Sequence, residues 1–323
     1  MTIKKDSSIF IAGHNGMVGS SINKLLLSRG YQNIVTSNRN QLDLLDQNAV
    51  KKFFKQNCFD YVFICAAKVG GIYANSSTPA DFIYQNLQIQ LNLISACHEN
   101  NVDKLLFLGS SCIYPKHSIQ PIAEDQLLTG PLEGTNEWYA IAKIAGIKLC
   151  ESYNIQFNRD YRSIMPTNLY GKNDNFDKKN SHVIPALIRR FFEAVKNNDE
   201  QIVIWGTGKP LREFLHVDDM AIASLFIAEL DKSDYQNNIS SNLSHINVGT
   251  GKDIAIEELV KILADISGFK GKIIFDSSKP DGTPRKVLNT KKINDLGWFP
   301  RISLKEGLSD TYKWFSENYK DII

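Results

Sequence analysis

Tyr139 and Lys143 stand four residues apart in Tyr-Ala-Ile-Ala-Lys, so on a helix the phenol and the ammonium share one face. Such a pair suits hydride transfer: the phenol exchanges a proton with a carbonyl or alcohol oxygen while a cofactor exchanges hydride with the carbon. A neighbouring ammonium favours tyrosinate, so the spacing predicts a Tyr139 pKa drawn down from its ordinary value of about 10. Alone, the pair describes a solvated helix face equally well. Its company is more telling. The apolar run Lys104 to Leu108 leads into Gly109, Ser110, Ser111, Cys112, Ile113 and Tyr114. This sets two hydroxyls and a thiol at the carboxyl end of a strand, where open parallel sheets bind ligands. Ser110 can donate to the same oxygen that Tyr139 protonates. A Cys112 thiolate can take a proton from carbon where nearby cations favour it, and the residue reads equally well as a small core cysteine.

Hydride chemistry needs a cofactor, and the start of the chain has the pattern for one. The strand-like Ile9 to Ala12 is followed by Gly13, His14, Asn15, Gly16, Met17, Val18 and Gly19, then by the helical pattern Ile22, Leu25, Leu26, Leu27. The glycines are three residues apart, wider than the commonest dinucleotide fingerprint, but the strand, glycine loop, helix order is the confirming context. Glycine lets backbone approach a pyrophosphate, and the helix N-terminus offers it free N–H groups and positive dipole. After the second strand, Asn33 to Thr36, the fingerprint expects a carboxylate for a ribose hydroxyl. Arg39 stands there instead, within Ser37-Asn38-Arg39-Asn40. A guanidinium pairs with a 2′-phosphate, which predicts NADP(H).

The 323 residues suffice for one large domain or two moderate ones. With 37 Lys and Arg against 35 Asp and Glu, dispersed along the chain, no basic face argues for nucleic acid. Cysteines 58, 65, 97, 112 and 150 fall into no zinc spacing, so no metal site is expected, and their odd, scattered number suits reduced thiols in the cytoplasm. The first residues have no signal-like apolar region, and no apolar run approaches the roughly 20 residues that span a bilayer.

The elements alternate as in a doubly wound parallel sheet, an α/β fold of Rossmann type. A helix is predicted from about Pro79 to Asn100, with Ile83, Leu87, Leu91, Ile94 and Cys97 on its buried stripe. Another carries Tyr139. The polar segment Asp231 to Asn242 reads as an exposed loop. From Asn173 the elements shorten, which predicts a smaller C-terminal α/β substrate-binding domain. We expect residues 1–172, with 213–250 returning, in the cofactor domain, and 173–212 with 251–323 in the substrate domain. Arg189, Arg190, Arg212 and the cations of the turn-rich Lys279 to Lys286 can converge on a diphosphate, with Trp205 as an apolar platform.

These strings, together with Ala66 to Ile72, Met165 to Gly171 and Asn180 to Pro185, are identified as those of a known family. The chain resembles, over nearly its full length, the extended short-chain dehydrogenases that act on nucleotide sugars, most closely the GDP-L-fucose synthases. The resemblance implies 3,5-epimerisation of GDP-4-keto-6-deoxy-D-mannose and then NADPH-dependent reduction of its 4-keto group. It implies a catalytic triad at Ser110, Tyr139 and Lys143, an epimerisation pair at Cys112 and His182, and substrate contacts at Arg190, Trp205, Arg212 and Asp281. The cofactor site it implies comprises Gly13 to Gly19, Arg39, Leu108 to Ser111, Lys143, Pro166, Thr167, Asn168, Leu169 and His182. Some members carry Arg where Asn15 stands, so the NADP(H) expectation rests on Arg39. A 4,6-dehydratase would usually show Thr-Asp-Glu at 110–112, a UDP-hexose 4-epimerase would need neither Cys112 nor His182, and a non-catalytic NADP(H) sensor would commonly have lost the Tyr or the Lys. Relatives pair the two long helices in a four-helix contact, which implies a homodimer; Ile144, Ile147 and Leu149 are the apolar positions that suggest burial on a second side of the Tyr139 helix.

Overall fold

The computed structural model describes residues 3–178, 180–240, 243–279 and 281–322, and only the backbone of Ile72 and Tyr73. Pro280, and Ser241 and Asn242 of the polar segment, lie outside the described residues. The elements in order are β1 (Ser8–Ala12), α1 (Met17–Ser28), β2 (Asn33–Thr36), α2 (Gln47–Gln56), β3 (Tyr61–Ile64), α3 (Ile72–Ser77), α4 (Pro79–Glu99), β4 (Lys104–Leu108), α5 (Glu137–Phe157), β5 (Asp160–Pro166) and β6 (Asn168–Tyr170). There follow α6 (Val183–Asn197), β7 (Gln201–Trp205), β8 (Leu211–His216), α7 (Val217–Glu229), α8 (Lys232–Asn237), β9 (His245–Val248), β10 (Asp253–Ala255), α9 (Ile256–Ser267), β11 (Lys272–Asp276), β12 (Arg285–Lys286), α10 (Lys291–Asp295) and α11 (Leu304–Ile322).

Six strands form one parallel sheet in the order β2-β1-β3-β4-β5-β9, the doubly wound topology that the alternation predicts. Its central strands are covered on both faces, which is why Tyr61 to Ile64 and Leu105 to Leu108 are apolar without alternation. One face packs on α2, α4 and α5 and the other on α1 and α7, giving two cores on either side of the sheet. A third core joins α6, α9 and α11 to the pair β7-β11 and to β8. Strand β8 is the hinge of the architecture: it pairs with β6, which directly follows β5, and also with β10 and β12.

Helix α4 departs from the predicted stripe. Leu91 is exposed, while Asn86 and Gln90 are buried. Both amides are tolerated there because they are hydrogen-bonded: Asn86 to the backbone of Lys68, and Gln90 to the Ala142 carbonyl on α5 at 2.5 Å. Ile144 and Ile147 of α5 are buried in the chain's own core, and the exposed apolar residues are others. Nor is the polar segment after Asp231 simply a loop. It holds α8, whose Tyr235 is buried and donates to the Ser244 carbonyl.

Candidate active site

The carboxyl end of β4 and the first turns of α5 meet, and with them the residues singled out for chemistry. Gly109 lets β4 close on β5: a Cβ there would lie 2.2 Å from the Met165 methyl carbon. Ser110 then caps a single 3₁₀ turn, its hydroxyl accepting from the Cys112 N–H at 3.3 Å, which turns Ser111 inward and leaves Cys112 half-buried. On α5, Lys143 is buried and its ammonium donates to the Leu108 carbonyl at 2.7 Å. It stands 5.7 Å from the Tyr139 ring centroid.

The Tyr139 phenol does not shift as the spacing predicts. Burial pushes it well above its ordinary value, the nearby Cys112 adds to the rise, and a hydrogen bond with Ser110 only partly offsets it. The expected lowering by the ammonium is not among the causes of the shift, and burial lowers the pKa of Lys143 itself from 10.5 to about 8. Tyr139 is therefore a neutral phenol near neutral pH, in the state to give a proton.

At the amino end of the sheet's first helix the fit to a dinucleotide can be tested. Gly13 has φ +89°, and a Cβ on Gly19 would lie 2.2 Å from the Gly13 carbonyl oxygen, so the loop is closed in a way only glycine permits. Gly16 heads α1 without a side-chain cap, and the first turn has no acidic residue. Uncapped N–H groups without local negative charge fit a pyrophosphate. His14, Asn15, Met17 and Val18 complete the loop. Arg39 is exposed in the turn after β2 and forms no ion pair among the described residues, so its guanidinium is available to a 2′-phosphate. Thr167 donates its N–H to the Val248 carbonyl, and Asn168 donates to the Glu213 carbonyl at 2.8 Å, which ties Pro166 to Leu169 to β8 and β9.

His182 stands at the N-cap of α6 without a side-chain capping bond; solvent reaches it, yet the protein around it and the charge of Lys286 hold its imidazole below the ordinary value. Arg212 is on β8, and the negative charge of Asp281 acts on it. Asp281 accepts from the Thr207 N–H at 2.6 Å and hydroxyl at 2.7 Å, and Lys279 lies 5.6 Å over the exposed Trp205 ring. Arg190 donates to the Val203 carbonyl beside them. Three of the cations expected at a diphosphate have partners in the protein. Arg189 is held by Glu193 and the Phe176 carbonyl, Arg285 pairs with Asp253, and Lys286 donates to the Cys112 sulfur at 3.9 Å. Among the described residues no His, Cys, Asp and Glu group could hold a metal ion.

Residues 9–249 match the model of the NAD dependent epimerase/dehydratase family. The chain belongs to this family. It is 59% identical over 310 residues to the GDP-L-fucose synthase of Escherichia coli (strain K12), covering 96% of this chain and 97% of that one. Among solved structures it resembles a GDP-6-OMe-4-keto-L-xylo-heptose reductase from C. jejuni, with TM-score 0.92 and 38% identity over 98% of this chain and all of that one (100%). A GDP-L-fucose synthetase from Naegleria fowleri bound to NADP has TM-score 0.87 and 26% identity, over 99% of this chain and 97% of that one.

Two residues of this region escape the motif reading. Lys286 reads as one more cation of a turn-rich loop, and Glu213 as an ordinary charge in an apolar strand. Glu213 is fully buried and accepts from the N–H groups of Leu288 at 2.8 Å and Gly251 at 2.7 Å. No sequence signal marks it: Gly249 and Gly251 meet its carboxylate only in the fold.

Proposed function

We propose that this protein converts GDP-4-keto-6-deoxy-D-mannose to GDP-L-fucose, inverting C3 and C5 and then reducing the 4-keto group, with NADP(H) as cofactor. The observation that carries the reading is the meeting in one cleft of a proton donor built for a ketone, Tyr139 with Ser110 and Lys143, and a second proton-handling group in which Lys286 touches Cys112 and acts on His182. A reductase alone needs only the first.

The chemistry follows from the groups present. A ketone acidifies the C–H bonds beside it, because the electron pair left behind moves to the carbonyl oxygen as an enolate. Ser110 and Tyr139 hydrogen-bond that oxygen and stabilise its charge. The Cys112 thiolate takes the proton from one face, forming S–H, and the His182 imidazolium gives its proton to the other face, re-forming C–H as the enolate collapses. Solvent then resets both groups before the second centre is inverted. Bound NADPH supplies hydride to C4. Tyr139, neutral through burial, gives the oxygen its proton. Gly13 to Gly19, Arg39, Leu108 to Ser111, Lys143, Pro166 to Leu169 and His182 would hold the cofactor, and Arg190, Trp205, Arg212 and Asp281 the GDP-sugar.

The test separates the two halves. Purified protein with this GDP-sugar and NADPH in deuterium oxide should yield GDP-L-fucose carrying deuterium at C3 and C5. Cys112→Ser should slow exchange at both carbons while hydride transfer continues, so that a C4-reduced, unepimerised sugar accumulates. Exchange at the unmutated rate in Cys112→Ser makes Cys112 a packing residue and removes the epimerase half of the reading.

The cofactor domain is read as residues 1–172 with 213–250, and the substrate domain as 173–212 with 251–323. The protein is further read as a cytoplasmic homodimer with no membrane or nucleic-acid partner. Supporting the dimer, α4 exposes Tyr84 and Leu91, and α5 exposes Trp138 and Ile141. A monomer mass by light scattering at micromolar concentration overturns it. Supporting the compartment, all five cysteines are free, and no helix of the described residues is long and apolar enough to cross a membrane.

A further inference from the structure

Lys286 is held in place more firmly than a loop cation has reason to be. It occupies the two-residue strand β12, opposite Arg212 in register with β8. The strand is pinned on both sides: Leu211 donates its N–H to the Pro284 carbonyl at 2.8 Å, and Leu288 donates its own to the buried Glu213 carboxylate at 2.8 Å. Gly249 makes room for that carboxylate, since a Cβ there would lie 2.2 Å from Glu213 Oε1. From this strap the Lys286 ammonium donates to Cys112 Sγ at 3.9 Å.

We propose that Lys286 is a positioning residue for epimerisation, its ammonium holding the Cys112 sulfur from the pinned strap and standing near His182. The proposal rests on the epimerase reading above and adds to it the residue that joins the two proton carriers. An ammonium in contact with the sulfur fixes where it stands, and the same charge resists positive charge on a neighbouring imidazole. His182 responds in that sense, held below its ordinary value first by burial and then by Lys286. The surrounding charges do not cancel the effect. Tyr139 faces Cys112 from α5 as a neutral phenol, Asp281 acts on Arg212, Asp253 holds Arg285, and Lys68, in the loop bonded to Asn180, pairs with Asp81.

Two variants decide the matter, Lys286→Met, which removes the charge, and Lys286→Arg, which keeps it. The first readout needs neither substrate nor cofactor: the His182 imidazole is titrated by NMR, with His182→Asn assigning the signal. Its midpoint should rise in Lys286→Met and stay put in Lys286→Arg. The second is deuterium exchange at C3 and C5 of the keto sugar. With the sulfur no longer held, exchange at both carbons should slow in Lys286→Met and persist in Lys286→Arg. Hydride transfer serves as the internal control for an intact cleft. A His182 midpoint that does not move in folded Lys286→Met overturns the proposal, as does Lys286→Arg behaving like Lys286→Met. If Lys286→Met does not fold by circular dichroism, Lys286→Gln is titrated in its place. Should the unmutated protein exchange neither carbon, the substrate reading falls, and the His182 titration still decides what Lys286 does.

Discussion

Replacing Lys143 by Met should change stability in a way that depends on pH, and the size follows from the site. Lys143 is only 3% exposed. Burial lowers its pKa from 10.5 to about 8. Below pH 8 the side chain is charged in both folded and unfolded states, and the folded state bears the whole cost of burying the charge. Between 8 and 10.5 the folded protein has lost the proton while the unfolded chain keeps it, so stability rises with pH. The cost comes to about 3 kcal/mol at pH 7 and falls below about 1 kcal/mol at pH 10. Methionine is of similar length and carries no such dependence. The stability of the unmutated protein minus that of Lys143→Met should therefore increase by about 2–3 kcal/mol between pH 7 and pH 10. Urea denaturation of both proteins without cofactor, at the two pH values, measures it. The subtraction cancels the tyrosines and cysteines that titrate in the same range. Reduction of the keto sugar should collapse in the same variant. A difference in stability that stays flat between the two pH values refutes the reasoning, because it would mean that the ammonium is not desolvated in the folded protein.

Tyr139→Phe keeps the ring and removes the proton donor, so turnover of NADPH with the keto sugar should fall by on the order of 10²–10⁴-fold, and a loss below tenfold would point to another donor. Arg39→Asp reverses the charge in the turn after β2; the KM for NADPH should rise steeply while NADH use is spared or improved, and equal loss with both would place the 2′-phosphate elsewhere. Trp205 is 68% exposed, so Trp205→Ala should leave the melting temperature alone. It should raise the KM for the GDP-sugar by roughly 2- to 10-fold, the worth of one aromatic contact, and an unchanged KM counts against the platform.

Much of this was legible in the sequence because the signals are local. The run Ile9 to Gly19 contains a strand, a glycine loop and a helix start within one βα unit, and the structure has each where the pattern puts it. The order of apolar strands and amphipathic helices is likewise enough for the doubly wound sheet. The α4 stripe departs from its periodicity for a reason that periodicity cannot supply. Asn86 and Gln90 are polar by type, and only the backbone groups they meet, at Lys68 and Ala142, make them core residues in place of Leu91.

The candidate site divides along the same line. A spacing of four residues brings Tyr139 and Lys143 together on any helix, but Cys112 and Lys286 are 174 positions apart, and nothing at either position announces the other. Their contact depends on β8 pairing with β12, and on a buried Glu213 that pins the strap after Lys286. The Tyr139 pKa shows the physical limit in another form. The spacing predicts lowering by a neighbouring ammonium, but the largest cause of the shift is depth, and depth belongs to packing rather than to spacing. Here depth wins: burial raises the phenol, and Tyr139 keeps its proton, the form that donates to a developing alkoxide.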